Sequence, residues 1–248
     1  MRLKGKSAIV TGAGRGIGKA IALALASEGC NLFLVARTEE QLKSVGELSR
    51  LQGVQALTVR ADVSSEEDVR SVVQGAVQTF GKIDILINNA GILPETIRVP
   101  IAEIRSEDWD AVLATNLKGM FLFTKNVLPV MKTKNDGYIL TVSSVMGRWG
   151  FTNFSSPYTA SKFGICGLTE ALFKEVKDTN IRVSMVCPGI VDTDFQSPSR
   201  RKAADPEEWL KPEDIAEAVL FLLTRPAKMI IPELILYPRV QFPQGRYF

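Results

Sequence analysis

Apolar residues in this chain fall into two patterns that alternate from one end to the other. Short continuous runs rich in Val, Ile and Leu, bounded by glycine, proline or asparagine, predict strands. They cover Ser7–Thr11, Asn31–Ala36, Val54–Arg60, Ile83–Asn88, Tyr138–Ser143, Arg182–Cys187 and Met229–Tyr237. Between them lie stretches of helix-forming composition: Ala20–Ser27 with Gly29 as its stop, Glu39–Leu51, a segment running to about Phe80, Ser106–Met131, a helix bearing Tyr158, and Pro212 to about Leu223. Ser64-x-x-Glu67 reads as the capping box that opens the third of these. Pro157 and Pro212 suit first-turn positions, where the missing N–H costs nothing. Strand and helix alternate without a repeat or a linker, which predicts one α/β domain over residues 1–248. Its doubly wound parallel sheet should have about seven strands, with helices on both faces and the ligand outside the strands' carboxyl ends. The polar tract Asp194–Lys211 predicts a mobile segment over the edge of that sheet.

Composition narrows the possibilities. At 248 residues and 46% hydrophobic content the chain can bury a substantial core. The net charge is only +3, and no basic stripe with interleaved aromatics is present, so a nucleic-acid partner is not expected. No run approaches the ~20 apolar residues of a spanning helix, and Met1-Arg-Leu-Lys-Gly-Lys-Ser leads into a strand rather than the core of a signal peptide. The cytoplasm is therefore the expected location. Cys30, Cys166 and Cys187 are widely spaced and flanked by apolar residues, the pattern of buried thiols. The chain has no histidine, which leaves little for a zinc site and removes the usual base of a serine hydrolase.

The first strand runs into Thr11-Gly-Ala-Gly-Arg-Gly-Ile-Gly18. This is not the usual GxGxxG fingerprint, because Ile17 stands where the third glycine would be. The physics is the same: glycines let a pyrophosphate approach backbone N–H groups at a helix N-terminus, the opening of a Rossmann-type fold. At the end of the second strand an NAD site wants a carboxylate, and this chain has Ala36-Arg37. Arg37, helped by Arg15 in the loop, could accept a 2′-phosphate, with Glu39 and Glu40 as the opposing feature. Asp62-Val63 could meet the adenine. Asn88-Asn-Ala-Gly91 ends the fourth strand and also fits simple turn chemistry. Asn116 lies inside an apolar helix, where its amide either back-bonds to the previous turn or holds something else. Ser143 and Ser144 close the fifth strand, and either hydroxyl could cap the next turn.

Tyr158 and Lys162 fall four positions apart on one helix face. A phenol ordinarily titrates near pH ~10, and a cation held close by favours the phenolate. The pair is expected to act as a general acid/base whose phenol is made more acidic by the ammonium.

Taken in order, Thr11-Gly-x-x-x-Gly-x-Gly18, Asn88-Asn-Ala-Gly91, Asn116, Ser144, Tyr158-x-x-x-Lys162 and Pro188-Gly189 resemble the short-chain dehydrogenase/reductases, from Leu3 to about Leu223. Within that family the chain looks most like 3-oxoacyl-[acyl-carrier-protein] reductases and related NADP-dependent carbonyl reductases. The resemblance implies that Tyr158 protonates a carbonyl as hydride arrives from a nicotinamide. Lys162 would lower the tyrosine's pKa and hold the nicotinamide ribose, Ser144 would bond the substrate oxygen, and Asn116 would anchor a proton-relaying water. Gly12, Gly14, Arg15, Gly16, Ile17, Gly18, Arg37, Asp62, Val63, Asn89, Ala90, Gly91, Pro188, Gly189, Val191 and Thr193 would line the cofactor, with NADP(H) preferred over NAD(H).

Three features depart from the pattern. The Ser144–Tyr158 segment is one residue longer, and Trp149, Phe151 and Phe154 within it would form an apolar substrate wall. A closing Gly-x-x-x-x-Val-Asp-Gly-Gly is replaced by Ile231-Pro-Glu-Leu-Ile-Leu236. No convincing pair of arginines for docking an acyl carrier protein can be mapped, although Lys132, Lys134 or Arg200 to Lys202 could serve. The expectation is an NADPH-dependent reductase of a ketone or 3-oxoacyl group, reversible as an alcohol or 3-hydroxy-acid dehydrogenase, and a homodimer or homotetramer. An NADPH-binding regulator and an epimerase or dehydratase that retains its cofactor are the alternatives.

Overall fold

Residues on successive positions of the first strand, β1 (Ser7–Thr11), point to opposite faces of the sheet, and both faces are apolar. Ala8 and Val10 face one side and Ile9 the other, all of them buried. In this computed structural model, which describes residues 1–150, 155–196 and 206–239, that requirement is met by a helical layer on each side. The strands are β1, β2 (Asn31–Ala36), β3 (Ala56–Arg60), β4 (Ile85–Asn88), β5 (Gly137–Val142), β6 (Ile181–Pro188) and β7 (Glu233–Leu236). They form one seven-stranded sheet in the order β3-β2-β1-β4-β5-β6-β7, with every pairing parallel.

Helices α1 (Gly16–Ser27), α2 (Glu39–Arg50) and the last helix, α7 (Pro212–Leu223), cover the face of Ala8 and Val10 with Ile21, Leu25, Leu42, Val45, Ile215 and Val219. On the Ile9 face, α3 (Glu66–Phe80), α5 (Gly119–Lys134) and α6 (Ser156–Glu175) contribute Val69, Val72, Phe123, Val127 and Leu172. Burying each such side chain contributes about 1.5–3 kcal/mol, so the two layers hold the sheet from both sides. Ala8 pairs with Leu32 of β2 on one side and Ile85 of β4 on the other. The chain reverses its winding direction there, so the loops after β1 and β4 splay apart and leave a crevice.

Several boundaries differ from expectation for identifiable reasons. The helix expected over Ser106–Met131 is helical through Lys134, but as α4 (Ser106–Leu113), a π turn over Ala114–Lys118, and α5. The third helix is capped by Ser65, whose hydroxyl accepts the Asp68 N–H at 3.2 Å, not by Ser64 with Glu67. Ser64 is already engaged, donating its N–H and its hydroxyl to Asp62 Oδ1 at 2.9 and 2.7 Å. The last strand starts only at Glu233, because Pro232 has no N–H to offer the ladder.

Candidate active site

A cavity of about 690 Å³ occupies the crevice, and it runs from the β1–α1 loop past the end of β2 to the N-terminal part of α6. Its floor is stitched together by Thr11, whose hydroxyl donates to Ile87 O and accepts the N–H groups of Asn89 and Ala90 at 3.0 and 3.1 Å. Asn89 returns the contact, donating Nδ2 to Thr11 O at 3.0 Å and to Gly12 O at 3.3 Å. Gly12 has φ of 65°, and a Cβ there would lie 3.0 Å from both Ala90 Cα and Asn89 Nδ2. Gly18 is packed so closely on the loop that a Cβ would overlap Gly12 O.

These contacts bear on whether a dinucleotide fits. Arg15 stands at the N-cap of α1 without a side-chain cap, and the first turn contains no acidic residue. The orphan N–H groups and positive end of the helix are thus open to an anion where Gly16, Ile17 and Gly18 line the cavity. Farther along, Arg37, Asp62 and Val63 line the cavity, with Arg37 exposed. The Ser64 hydrogen bonds hold the Asp62 carboxyl below its ordinary range, and the charge of Arg37 adds to the effect. Glu39, the opposing feature, is turned to Lys43 in an ion pair of 2.9 Å, and neither it nor Glu40 lines the cavity. Arg15 lies 3.9 Å from Asp194, across from the loop. Gly14, Gly91, Pro188, Gly189, Val191 and Thr193 complete this lining, so the residues present fit an extended, anionic nucleotide.

At the inner end, Ser144, Tyr158 and Lys162 converge. The Ser144 hydroxyl accepts the Met146 N–H at 3.1 Å and acts on the Tyr158 phenol to lower its pKa. Ser143 faces elsewhere, with its hydroxyl 3.5 Å from Lys162 O and 3.4 Å from Cys166 Sγ. Lys162 is buried, with Nζ donating to Val142 O at 3.3 Å and lying 5.5 Å from the centre of the Tyr158 ring. The expectation that the ammonium lowers the tyrosine's pKa is not met by this arrangement. Burial pushes the phenol up to about 12, against the smaller downward pulls of the Ser144 hydroxyl and the charge of Arg98. Burial also pushes Lys162 down from 10.5 to about 8. Desolvation of both groups outweighs their neighbours in this site.

Asn116 does not back-bond to the previous turn; of its two expected behaviours it shows the other, holding partners outside its own helix. It sits on the π turn, where the extra residue directs its side chain inward. There it accepts the Ile92 N–H at 2.7 Å and donates to Ile92 O and Ser161 Oγ, both at 3.1 Å. It does not line the large cavity but braces the β4 loop against α6 behind Tyr158 and Lys162.

Of the residues expected to form an apolar wall, only Trp149 is among those described, and it is placed elsewhere. Trp149 packs at a tilt against Tyr237, with centroids 6.1 Å apart, and is not part of the cavity lining. Phe151 and Phe154 lie outside the described residues. Among the described residues the wall comes from Ile92, Leu93, Met146 and Phe195, whose ring is 6.0 Å from that of Tyr158. Sequence reasoning missed these, and it missed Arg98 and Gln196, which also line the cavity. The one signal pointing to Arg98 was a cation set among apolar neighbours, Ile97-Arg98-Val99. Half of the mobile segment expected over Asp194–Lys211, residues 197–205, lies outside the described residues, and with it Arg200 to Lys202. Of the other candidate carrier-docking cations, Lys132 pairs with Glu175 at 2.8 Å and Lys134 donates to Gly81 O at 3.0 Å. The three cysteines are free and buried, and Cys166 and Cys187 come together with Met185. No helix among the described residues is long and apolar enough to cross a membrane.

A parallel sheet with a glycine loop at its switch point and a Ser–Tyr–Lys cluster at the far end of one cavity defines a Rossmann-type oxidoreductase. The family model for short chain dehydrogenases matches residues 6–204, and the chain belongs to that family. It is 37% identical over 243 residues to 3-oxoacyl-[acyl-carrier-protein] reductase FabG of Thermotoga maritima, covering 95% of this chain and 97% of that one. Among solved structures it resembles levodione reductase, with a TM-score of 0.87 and 30% identity over 95% of this chain and 96% of that one. It also resembles a metagenomic short-chain oxidoreductase in complex with NADP, with a TM-score of 0.83 and 32% identity over 96% and 99% of the two chains.

Proposed function

We propose that this oxidoreductase reduces the carbonyl of a ketone or 3-oxoacyl compound with NADPH, and runs in reverse as an alcohol or 3-hydroxy-acid dehydrogenase. The observation that carries the reading is the convergence of Ser144, Tyr158 and Lys162 on the inner end of the cavity that begins at the glycine loop. When bound, the reduced dinucleotide supplies the hydride. Tyr158, protonated throughout the neutral range at a pKa of about 12, is the proton donor to the carbonyl oxygen. Ser144 offers its hydroxyl to the same oxygen as negative charge grows on it. Lys162, with a pKa of about 8, is mostly charged near neutrality and holds positive potential behind the phenol. Phe195 and its apolar neighbours keep water from the reacting centre.

The preference for the 2′-phosphorylated cofactor rests on Arg37 at the end of β2 and on the turning away of Glu39. A homodimer or homotetramer is supported by the family resemblance and by Phe121 and Phe163, which are 45% and 47% exposed on α5 and α6. The cytoplasm remains the proposed location. Delivery of thioesters on an acyl carrier protein is one arm of the assay below.

NADPH consumption measured with simple ketones, acyl thioesters and acyl-carrier thioesters tests the whole reading. In Tyr158→Phe, reduction should fall by roughly 10²–10⁴-fold, the range of general acid catalysis, while NADPH binding stays intact. Unchanged turnover in that variant removes Tyr158 from the mechanism. Tight binding with no oxidation across the panel favours a nucleotide-binding regulator instead.

A further inference from the structure

Carbonyl reduction by Tyr158 and Ser144 leaves a buried cation in the cavity wall without a task. Arg98, in the connection between β4 and α4, lines the cavity beside Ile92 and Leu93, and its side chain is only 20% exposed. Its Nε and Nη2 are both buried with no hydrogen-bond partner among the described residues. Glu95 Oε1 lies 3.0 Å from Nε as an ion pair without hydrogen-bond geometry. That carboxylate is 57% exposed, so solvent screens much of the attraction. A guanidinium cannot shed its proton to escape burial, and open donors in such a setting are costly. Its charge also reaches the reactive phenol, on which it acts to lower the pKa. A cation of this kind in an otherwise apolar wall is matched by an anion that arrives with the substrate.

We propose that Arg98 selects carbonyl substrates bearing a free carboxylate, that is, small oxo acids, by pairing with that carboxylate while the carbonyl meets Tyr158 and Ser144. This inference rests on the carbonyl-reductase reading of the site. The planar fork of arginine suits a carboxylate, and a neutral thioester or simple ketone would leave the guanidinium as it stands. The carboxylate binds and does not react. Glu95 is the built-in counter-ion that the incoming acid replaces.

The test compares kcat/KM for acetoacetate against methyl acetoacetate, and for levulinate against methyl levulinate, in the parent, Arg98→Met and Arg98→Lys. The acid-to-ester ratio is the readout, since acid and ester differ in intrinsic reactivity. The ratio should drop about 10- to 100-fold in Arg98→Met, the worth of a charged hydrogen-bonded pair, and recover in part in Arg98→Lys. Glu95→Gln should raise it. A ratio in Arg98→Met within about twofold of the parent overturns the inference and leaves the carbonyl-reductase reading standing. If no probe is reduced by the parent, the reductase reading fails, and calorimetric titration of levulinate into the NADPH-loaded protein decides the carboxylate site separately. Binding weakened about tenfold or more in Arg98→Met, at a melting temperature no lower than the parent's, sustains the site, whereas binding equal in parent and variant, or absent from the parent, removes it.

Discussion

Replacing Lys162 with methionine should stabilise this protein while disabling it. The ammonium is buried between α6 and the end of β5, and its hydrogen bond to Val142 O at 3.3 Å does not compensate for lost water. A fall from 10.5 to about 8 means that the charged form is disfavoured in the fold by about 3 kcal/mol relative to the unfolded chain. Methionine has similar length and no charge, and its substitution gives back about 1 kcal/mol by losing the amine's hydrogen bond. The net gain near pH 7 is about 2 kcal/mol, or roughly 4–8 °C in melting temperature for a chain of this size. The pH dependence has a definite sign. With a depressed folded-state value, the penalty on the parent is fully present below about pH 8 and is relieved as pH rises toward 10.5, where the unfolded lysine also loses its proton. The advantage of Lys162→Met should therefore be constant from pH 6 to about 8 and shrink above that. Scanning calorimetry across this range, without added dinucleotide, reads it directly. A variant that melts at or below the parent temperature at pH 7, or whose advantage grows with pH, would refute the claim that desolvation dominates at Lys162.

Three other perturbations test separate parts of the account. Asn116→Ala removes the partners of the Ile92 N–H and C=O, so urea denaturation should show a loss on the order of 2–6 kcal/mol and amide exchange at Ile92 should accelerate. Gly18→Ala drives a methyl group into Gly12 O and to 2.6 Å from Asn89 Nδ2; it should cost about 1–3 kcal/mol in stability and weaken dinucleotide binding measured by fluorescence titration. Arg37→Asp should lower affinity for NADPH and bring NADH level with it or ahead; equal affinities in the parent would defeat the role given to Arg37.

The alternation of apolar runs with helix-forming stretches was enough to foresee a parallel sheet of about seven strands, since a strand that is apolar on both faces must be covered on both faces. The glycine loop was legible for a similar reason: its chemistry is local, and the tight turn and close approach depend on residues adjacent in sequence. The same holds for Tyr158 and Lys162, which helix geometry brings to one face whatever surrounds them. Local signals were less reliable where two residues competed for one role, as when Asp62 claimed Ser64 and left the cap to Ser65.

What the chain order could not reveal was the effect of burial. Whether Tyr158 becomes more or less acidic depends on how much water the packed cavity removes, and that is a property of all the elements around it. Asn116 depended on a π turn and on the distant Ile92 and Ser161; Arg98 became a candidate only once the β4–α4 connection lay against the phenol. The sequence by itself determined the order of the elements, the glycine turn after the first strand and the placing of Tyr158 and Lys162 on one helix face, because each follows from neighbours a few residues apart. Tertiary structure decided the protonation of Tyr158 and Lys162, the supports around them and the charge in the cavity wall, because electrostatic energies depend on distance and solvent exclusion, which only the folded arrangement fixes.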